Sequence, residues 1–452
     1  MFVFDRAGAV IEERRTKPIW REENGLRVLA DDELYAWMRG ELANAVANYG
    51  VEGVMFSGHG CTFALASGDV LAHPILDYEQ EPPANIASRI DALVPDFEET
   101  FSPHLPLGFN FGRHMLWLQE LKPEAFAATD AILCYPQFWT WKFSGQAVSE
   151  VSYLGCHSHL WAPLKNDFSS LVDKQGWREK MPAFARAGAP VGTHTVTLDD
   201  GTSREITVHN GVHDSNASLH FYRSFGLDDF TLISTGTWVV IFNSACPLNA
   251  LDRERDMLAN VTVDGRPAPT IRFMGGREYD LASDGWTKPI SRESIVAVIK
   301  KGIFALPSFA QGGPVPNVVG GFRGPQPTPE ERAAAALLYV VLMTDLSLDL
   351  IRSENTVVID GGLVKTGFYP ELLAQLRPDQ PFMTSATSEG SAFGAAALAF
   401  ESKGRSPFEN SCETVEPSAV SGLEAYRDRW RDQVEAARLG LIGENTLNWR
   451  AS

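Results

Sequence analysis

The chain has 452 residues, 44% hydrophobic and 21% charged, enough to bury a sizeable core in two large or three smaller folding units. A formal net charge of −18 argues against binding a nucleic-acid backbone, so an anionic ligand would have to be met locally, by backbone N–H groups, helix N-termini or a metal ion. Five scattered cysteines without a CxxC spacing read as reduced thiols, the opening MFVFDRAG has no signal-peptide core, and the longest apolar run, Ala333 to Met343, falls short of the ~20 residues of a membrane span, so the expectation is a cytoplasmic protein with no membrane partner.

In chain order, Phe2 to Phe4 and Ala9 to Thr16 read as a hairpin turned at Asp5-Arg6-Ala7-Gly8. Asp31 to Asn48 carries Leu34, Trp37, Met38, Leu42 and Val46 at near-helical spacing. A strand follows at Gly53 to Phe56, then SGHG at Ser57–Gly60, where glycines flanking His59 allow a backbone or a ligand to come close. Hairpin, helix, strand and Gly-flanked loop in this order point to an α/β domain. Leu76-Asp77-Tyr78-Glu79 puts Asp77 and Glu79 on one side if extended, either to hold ligand hydroxyls or as a solvated edge. Asn110, Arg113 and His114 precede Met115-Leu116-Trp117-Leu118, the buried side of a helix, and the aromatic Phe138 to Gly145 reads as core packing. Cys156-His157-Ser158-His159 contains an HxH pair, but no cysteine- or glutamate-rich partner set completes a metal site, and no metal ligands are assigned. Asp199-Asp200-Gly201 is a hairpin turn between Thr193–Leu198 and Arg204–Val208.

The centre of the chain is Gly211 to Ser218, reading GVHDSNAS, between the β-prone Glu205–Val208 and a helix expected over Asn216–Phe225. A carboxylate at such a junction can face solvent, so Asp214 is read as a general base, the alternative being a helix cap. A second unit begins near Asp228. The strand Phe230–Ile233 runs into Ser234-Thr235-Gly236-Thr237-Trp238 and resumes at Val239–Phe242, a hairpin tip whose N–H and O–H donors converge. Phe273 to Glu278 is expected to be a Gly-rich turn, and Gly312 to Gly324 irregular. Thr328 to Ser353 is the clearest helix, with Thr328 as N-cap, Pro329 at N1 and Glu331 closing a capping box. The strand Val357–Ile359 ends in Asp360-Gly361-Gly362, where a flat ring or a phosphate could lie against the backbone. Short helices are expected at Glu371–Leu376 and Glu389–Phe400, and a peripheral amphipathic helix at Gly422–Leu441.

Taken together, GVHDSNAS, STGTW, IDGG with the later EGSAFGAAALA, SGHG, LDYE and NFGRHMLWL resemble, in order and spacing, the FGGY carbohydrate kinases, in particular their rhamnulokinase and fuculokinase-like branches, from Phe2 to about Phe400. The resemblance implies an α/β protein of two actin-like (RNase H-like) ATPase domains with the ligands in an interdomain cleft. It implies a sugar-binding domain over residues 1–226, a nucleotide-binding domain over 227–405 and a helical tail over 406–452. On that pattern Asp214 is the catalytic base; His59, Asp77, Glu79, Asn110 and His213 contact the sugar; Thr235, Gly236 and Thr237 hold phosphate oxygens; and Gly361 and Gly362 flank the adenosine. The implied partners are ATP, Mg²⁺ and a ketose such as L-rhamnulose or L-fuculose, with a homodimer left open.

The chain departs from the family in two places. Met1-Phe2-Val3-Phe4 matches the second strand of the family's opening hairpin, so the DxGTTxxK-type phosphate loop has no counterpart in this sequence; the intact later motifs favour a start set too far downstream over a degraded kinase. Gln311-Gly312-Gly313 stands where Gly-Glu-Arg is frequent. The first departure supports an alternative, a catalytically impaired sugar-binding or sugar-sensing protein on a kinase scaffold. A third reading, a metal-dependent hydrolase, would use His157, His159, His213 and Asp214.

Overall fold

In a computed structural model, the described residues are 1–227, 229–385, 389–402, 404, 407–409 and 412–441. They form two compact units, each assembled from three stretches of chain. One comprises Met1–Leu227, Ala259–Pro267 and Gly390–Asn410; the other Asp228–Leu258, Ala268–Glu389 and Ser411–Ser452.

The first unit opens with the expected hairpin, Phe2–Phe4 against Val10–Glu13, whose turn is tied by Asp5 Oδ1 accepting from the Ala7 and Ala9 N–H groups at 2.8 and 2.9 Å. A second hairpin, Trp20–Glu23 with Leu26–Leu29, was not expected. Its turn is Asn24-Gly25, both at positive φ (52° and 79°), the conformation that Asn-Gly favours in a tight hairpin. The helix Asp31–Tyr49 follows and stops at left-handed Gly50. The strand expected over 53–56 is two short pieces: Gly53–Val54 runs parallel to Ser203–His209, and Ser57–Gly58 parallel to Val212–His213. Pro190–Thr197 and Ser203–His209 form the hairpin predicted around Asp200. Phe138, Trp139, Trp141 and Phe143 of the helix Tyr135–Ser144 are buried, as core packing requires, and so is every residue from Phe111 to Leu118 of the helix Phe111–Leu121.

Two helices in this unit lie in direct contact. Gly390–Glu401 packs on Asp214–Arg223 so closely that a Cβ on Gly394 would stand 1.8 Å from the Ala217 carbonyl oxygen. An aromatic group of Phe4, Phe221, Phe393 and Phe408 joins the opening hairpin to both helices, with ring centroids 5.1 to 6.1 Å apart.

The second unit is built on a sheet of seven strands among the described residues. Their order is Met257–Val261, Pro267–Phe273, Val239–Asn243, Phe230–Thr235, Thr356–Gly361, Phe382–Ser385 and Cys412–Thr414. The strands Phe230–Thr235, Thr356–Gly361 and Phe382–Ser385 are mutually parallel, and buried residues run through the first two because both faces are covered. The helix Pro329–Leu350 carries the predicted capping box: Thr328 Oγ1 accepts from the Glu331 N–H at 3.3 Å, and Glu331 Oε2 from the Thr328 N–H at 3.0 Å. Among the described residues it is the one helix long and apolar enough to cross a membrane, and it is buried from Ala333 to Asp345 as the core helix of this unit.

Three expectations are corrected here. Residues 273–278 are not a turn: a helix starts at Gly275 and runs to Ser283. The stretch 312–324 is not wholly irregular, because Gly321–Arg323 pairs with Phe304–Leu306. The helix Leu423–Arg438 is not peripheral. It buries Leu423, Tyr426, Trp430 and Val434, stacks Tyr426 on Phe304 at 4.5 Å, and donates from the Tyr426 hydroxyl to the Ile303 carbonyl (2.6 Å) and from the Trp430 indole to the Ala305 carbonyl (2.8 Å). Its charged residues disguise an inward stripe at helical spacing, which is what an amphipathic face is for.

Candidate functional site

Two parallel strand ends bring the first group of residues together. Val212 lies beside Ser57 and His213 beside Gly58, so the next residues, His59 and Asp214, leave the two strands side by side. Gly60 makes room for this: a Cβ there would stand 2.3 Å from the Cys156 sulfur and 2.8 Å from His213 Nε2. The histidine ring thus occupies the space a side chain at position 60 would need.

His213 is the N-cap residue of the helix that Asp214 begins, two residues earlier than expected. Asp214 is therefore the first helical residue rather than the cap, where the helix N-terminus favours a negative charge. Its side chain is 39% exposed, and its Oδ1 accepts from the Ser215 N–H (2.6 Å) and hydroxyl (3.2 Å) and lies 3.4 Å from His213 Nε2. Among the described residues Oδ2 accepts no hydrogen bond. A half-open carboxylate with one oxygen anchored and the other free has the geometry a general base needs.

Around it, His59 is held between the rings of Tyr78 (4.8 Å) and Tyr135 (5.0 Å), and its Nδ1 is buried without a hydrogen-bond partner. Burial pushes the pKa of His59 and of His213 down, while Asp214 pulls each of them up by a smaller amount. His59 also feels Asp77, so His59, Asp77, His213 and Asp214 form one electrostatic group. Asp77 is buried and paired, with Oδ2 2.8 Å from an Arg27 guanidinium nitrogen and Oδ1 accepting from the Glu79 N–H at 3.0 Å. Glu79 stands in solvent, 58% exposed and 3.6 Å from the same Arg27 nitrogen. Asn110 is fully buried and engaged at both ends: Oδ1 accepts from the Leu105 N–H (2.7 Å) and Nδ2 donates to the His157 carbonyl (2.5 Å). Its amide holds two loops together, and one N–H remains.

A second group lies in the other unit. The hairpin between Phe230–Thr235 and Val239–Asn243 turns at Gly236-Thr237-Trp238, with Gly236 and Thr237 exposed at its tip. Thr235 is buried, and its hydroxyl donates to the Asp360 carbonyl (2.7 Å) and accepts from the Leu363 N–H (3.1 Å), which ties the hairpin to the Asp360–Leu363 turn. Gly361 (φ +95°) lies so near Thr235 that a Cβ would meet its carbonyl oxygen at 1.9 Å, whereas Gly362 is open to solvent. From the third side Gly276, in the first turn of the helix Gly275–Ser283, approaches Gly236, and the Arg277 N–H donates to the Thr237 carbonyl at 3.3 Å. A hairpin tip, a helix N-terminus and a glycine turn thus converge, an arrangement suited to phosphate oxygens.

The HxH pair adjoins the first group through Asn110, which donates to the His157 carbonyl. His157 Nδ1 is 2.7 Å from the Phe109 carbonyl, both ring nitrogens of His159 are buried without partners, and both residues have left-handed backbones (φ 43° and 68°). Among the described residues no three His, Cys, Asp or Glu side chains gather as metal ligands.

Four participants escaped the sequence reading. Arg27, which neutralises Asp77, sits on the unexpected hairpin and was findable from Asn24-Gly25. Tyr78 and Tyr135 flank His59 from distant parts of the chain, and Asn216, 2.9 Å from His213 Nδ1, looked like an ordinary helix residue.

The fold and both groups define the class: a mixed α/β protein with the two actin-like ATPase domains of the sugar kinases. The carbohydrate kinase FGGY C-terminal domain family matches residues 227–407. Among solved structures, a carbohydrate kinase from Novosphingobium aromaticivorans is 33% identical with a TM-score of 0.86, the match covering 96% of each chain. A xylulose kinase from Lactobacillus acidophilus (13% identity, TM-score 0.76, 98% of this chain and 97% of that one) shares the fold. So does the ADP-bound glycerol kinase of Plasmodium falciparum (12%, 0.77, 98% and 96%). A comparison with curated protein sequences gives no match. The chain belongs to the FGGY carbohydrate kinase family.

Proposed function

We propose that the chain is an ATP-dependent sugar kinase that phosphorylates a ketose of the deoxyhexulose type, such as L-rhamnulose or L-fuculose, with Asp214 as the general base. The observation that carries this reading is the half-exposed Asp214 carboxylate, with Oδ1 anchored and Oδ2 free, beside the unpartnered Nδ1 of His59. Asp214 Oδ2 takes the proton of a sugar hydroxyl, the oxygen forms a bond to the γ-phosphorus of ATP, and the bond to the β-phosphate oxygen breaks to release ADP. Positioning and charge stabilisation supply most of the acceleration in such a transfer. His59 and Asp77 are assigned to the sugar hydroxyls, with Glu79 and Asn110 at the margin of that site; His213, expected from the sequence to contact the sugar, is buried behind Asp214 and acts through that carboxylate.

The nucleotide is assigned to the other group of residues. Gly236 and Thr237 offer backbone and hydroxyl donors to phosphate oxygens, Thr235 holds the turn behind them, and Gly361 and Gly362 give a flat surface for the adenosine. Mg²⁺, when bound, would neutralise charge on the phosphates. A cytoplasmic location belongs to the same reading.

The test is ATP turnover against a panel of ketoses and deoxyketoses, with Asp214→Asn beside the native protein. Turnover of one sugar that falls by about 10³-fold or more in Asp214→Asn, with sugar affinity within a few-fold, is expected. Equal turnover in the variant removes Asp214 as base. A sugar that raises the melting temperature without any turnover turns the reading to a sugar-sensing protein.

A further inference from the structure

The His213 ring has a defined proton position, read from its neighbour rather than from itself. Asn216 is buried, and its Nδ2 lies 3.4 Å from the Ser152 carbonyl oxygen and 2.9 Å from His213 Nδ1. A carbonyl only accepts, so the Asn216 nitrogen must face it. Turning the amide over would set Oδ1 against that oxygen, acceptor to acceptor, and would move the N–H groups to a side where the buried Asn216 Oδ1 now finds no partner. With Nδ2 donating, His213 Nδ1 accepts, and the ring proton of the neutral imidazole is on Nε2, 3.4 Å from Asp214 Oδ1.

The Ser152 carbonyl is itself fixed. Glu150 caps the short helix Val151–Leu154, accepting from the Ser152 N–H (2.8 Å), the Ser152 hydroxyl (2.7 Å) and the Tyr153 N–H (3.0 Å). The Tyr153 ring meets the His213 ring edge to face at 6.0 Å, and the missing side chain at Gly60 leaves room for the imidazole. The imidazole is therefore held by the Asn216 amide at Nδ1 and by the Tyr153 ring at its side.

We propose that Asn216 is a positioning residue, holding His213 so that its Nε2–H faces Asp214 Oδ1 at 3.4 Å and leaves Oδ2 as the atom that takes the substrate proton. This rests on the kinase reading for what Oδ2 does, but not for where the His213 proton is. The ionisable groups facing Asp214 are His59, His213, Tyr78 and Cys156. Burial lowers the first two and raises the last two, Tyr78 to about 12. Asp77, the next carboxylate, is neutralised by Arg27. An N–H that faces a carboxylate favours its ionised form, so turning that N–H away moves the acid limb of turnover upward.

Two measurements test this. The first is the two-bond ¹H–¹⁵N correlation pattern of His213 in the native protein at pH 7.5, which is independent of activity. The pattern of a neutral ring protonated at Nε2 is expected, and protonation at Nδ1 overturns the proposal. The second is the pH profile of kcat for Asn216→Leu. An acid limb shifted upward by about half to one pH unit, with kcat lower by about tenfold and KM within about twofold, is expected. Lower activity with an unmoved limb would mean that Asn216 only supports the fold, and overturns the proposal. Silence of the native protein toward every sugar, with the Nε2–H pattern present, would remove the kinase reading and still support the proton placement.

Discussion

Replacing Gly394 by alanine sets two effects of opposite sign against each other. In mid-helix, glycine to alanine stabilises by about 1 kcal/mol, because alanine loses less backbone freedom on folding. At this position the new Cβ would stand 1.8 Å from the Ala217 carbonyl oxygen and 2.4 Å from its carbon. An ordinary contact needs about 3.4 Å, so the helices Gly390–Glu401 and Asp214–Arg223 must part by roughly 1.5 Å, with backbone on both sides of the contact and no flexible side chain to yield. Overpacking of this kind costs about 1–3 kcal/mol, and a backbone-to-backbone clash belongs at the upper end or beyond it. The net expectation is a loss of about 2 kcal/mol. Urea denaturation followed by tryptophan fluorescence reads it, with the slope checked for a change in cooperativity. The same shift displaces the helix that begins at Asp214, so turnover should fall more than stability alone explains at temperatures where the variant is folded. A variant as stable as the native protein, or more so, would refute the close packing of these helices.

Trp430→Ala is expected to cost about 3–5 kcal/mol, because the indole is buried and its N–H donates to the Ala305 carbonyl; a change below about 1 kcal/mol would make the C-terminal helix peripheral after all. The pH dependence of stability has two opposed parts. His114 and His159 are buried neutral, with burial pushing them down to about 4 and about 3, so below pH 6.5 the unfolded chain binds protons that the folded chain does not, and stability falls as pH falls. Glu150 is pushed up by burial to about 7, so between about pH 4.5 and 7 the folded chain holds one extra proton and this contribution is lost as pH rises. His59, His213, His73 and His194 are lowered by burial in the same direction, so the histidines together outweigh the one glutamate and stability rises with pH from 5 to about 7. Denaturation midpoints across pH 5 to 8 check this, and a steady fall from 5 to 7 would contradict the buried, neutral histidines.

Much of the local structure follows from residue chemistry that any reader of the chain can apply. The capping box of Thr328 and Glu331, the turn at Asp200 and the hairpin through Ser234–Trp238 need no distant partner, because their hydrogen bonds close within a few residues. Asp214 stood out for the same reason: a His-Asp pair between a β-prone run and a helix start is a local signal. The Asn24-Gly25 hairpin was legible too, and went unread. What sequence order hides is which segments become neighbours. His59 and Asp214 are 155 positions apart and meet because two short strands run parallel. Arg27 reaches Asp77, Ser152 fixes Asn216, and Gly394 admits Ala217, each by a long-range contact that no local period encodes. The tail helix shows the same limit from the other side, since its charge pattern is that of a surface helix and only the pocket formed by Ile303 to Ala305 reveals that Tyr426 and Trp430 are core residues. Sequence by itself therefore determined most of the elements, the family and the candidate carboxylate, because these depend on short-range periodicity and motif order. Tertiary structure alone decided which oxygen of Asp214 is anchored, which imidazole touches it and which glycines cannot change, because those depend on close approaches between segments far apart in the chain.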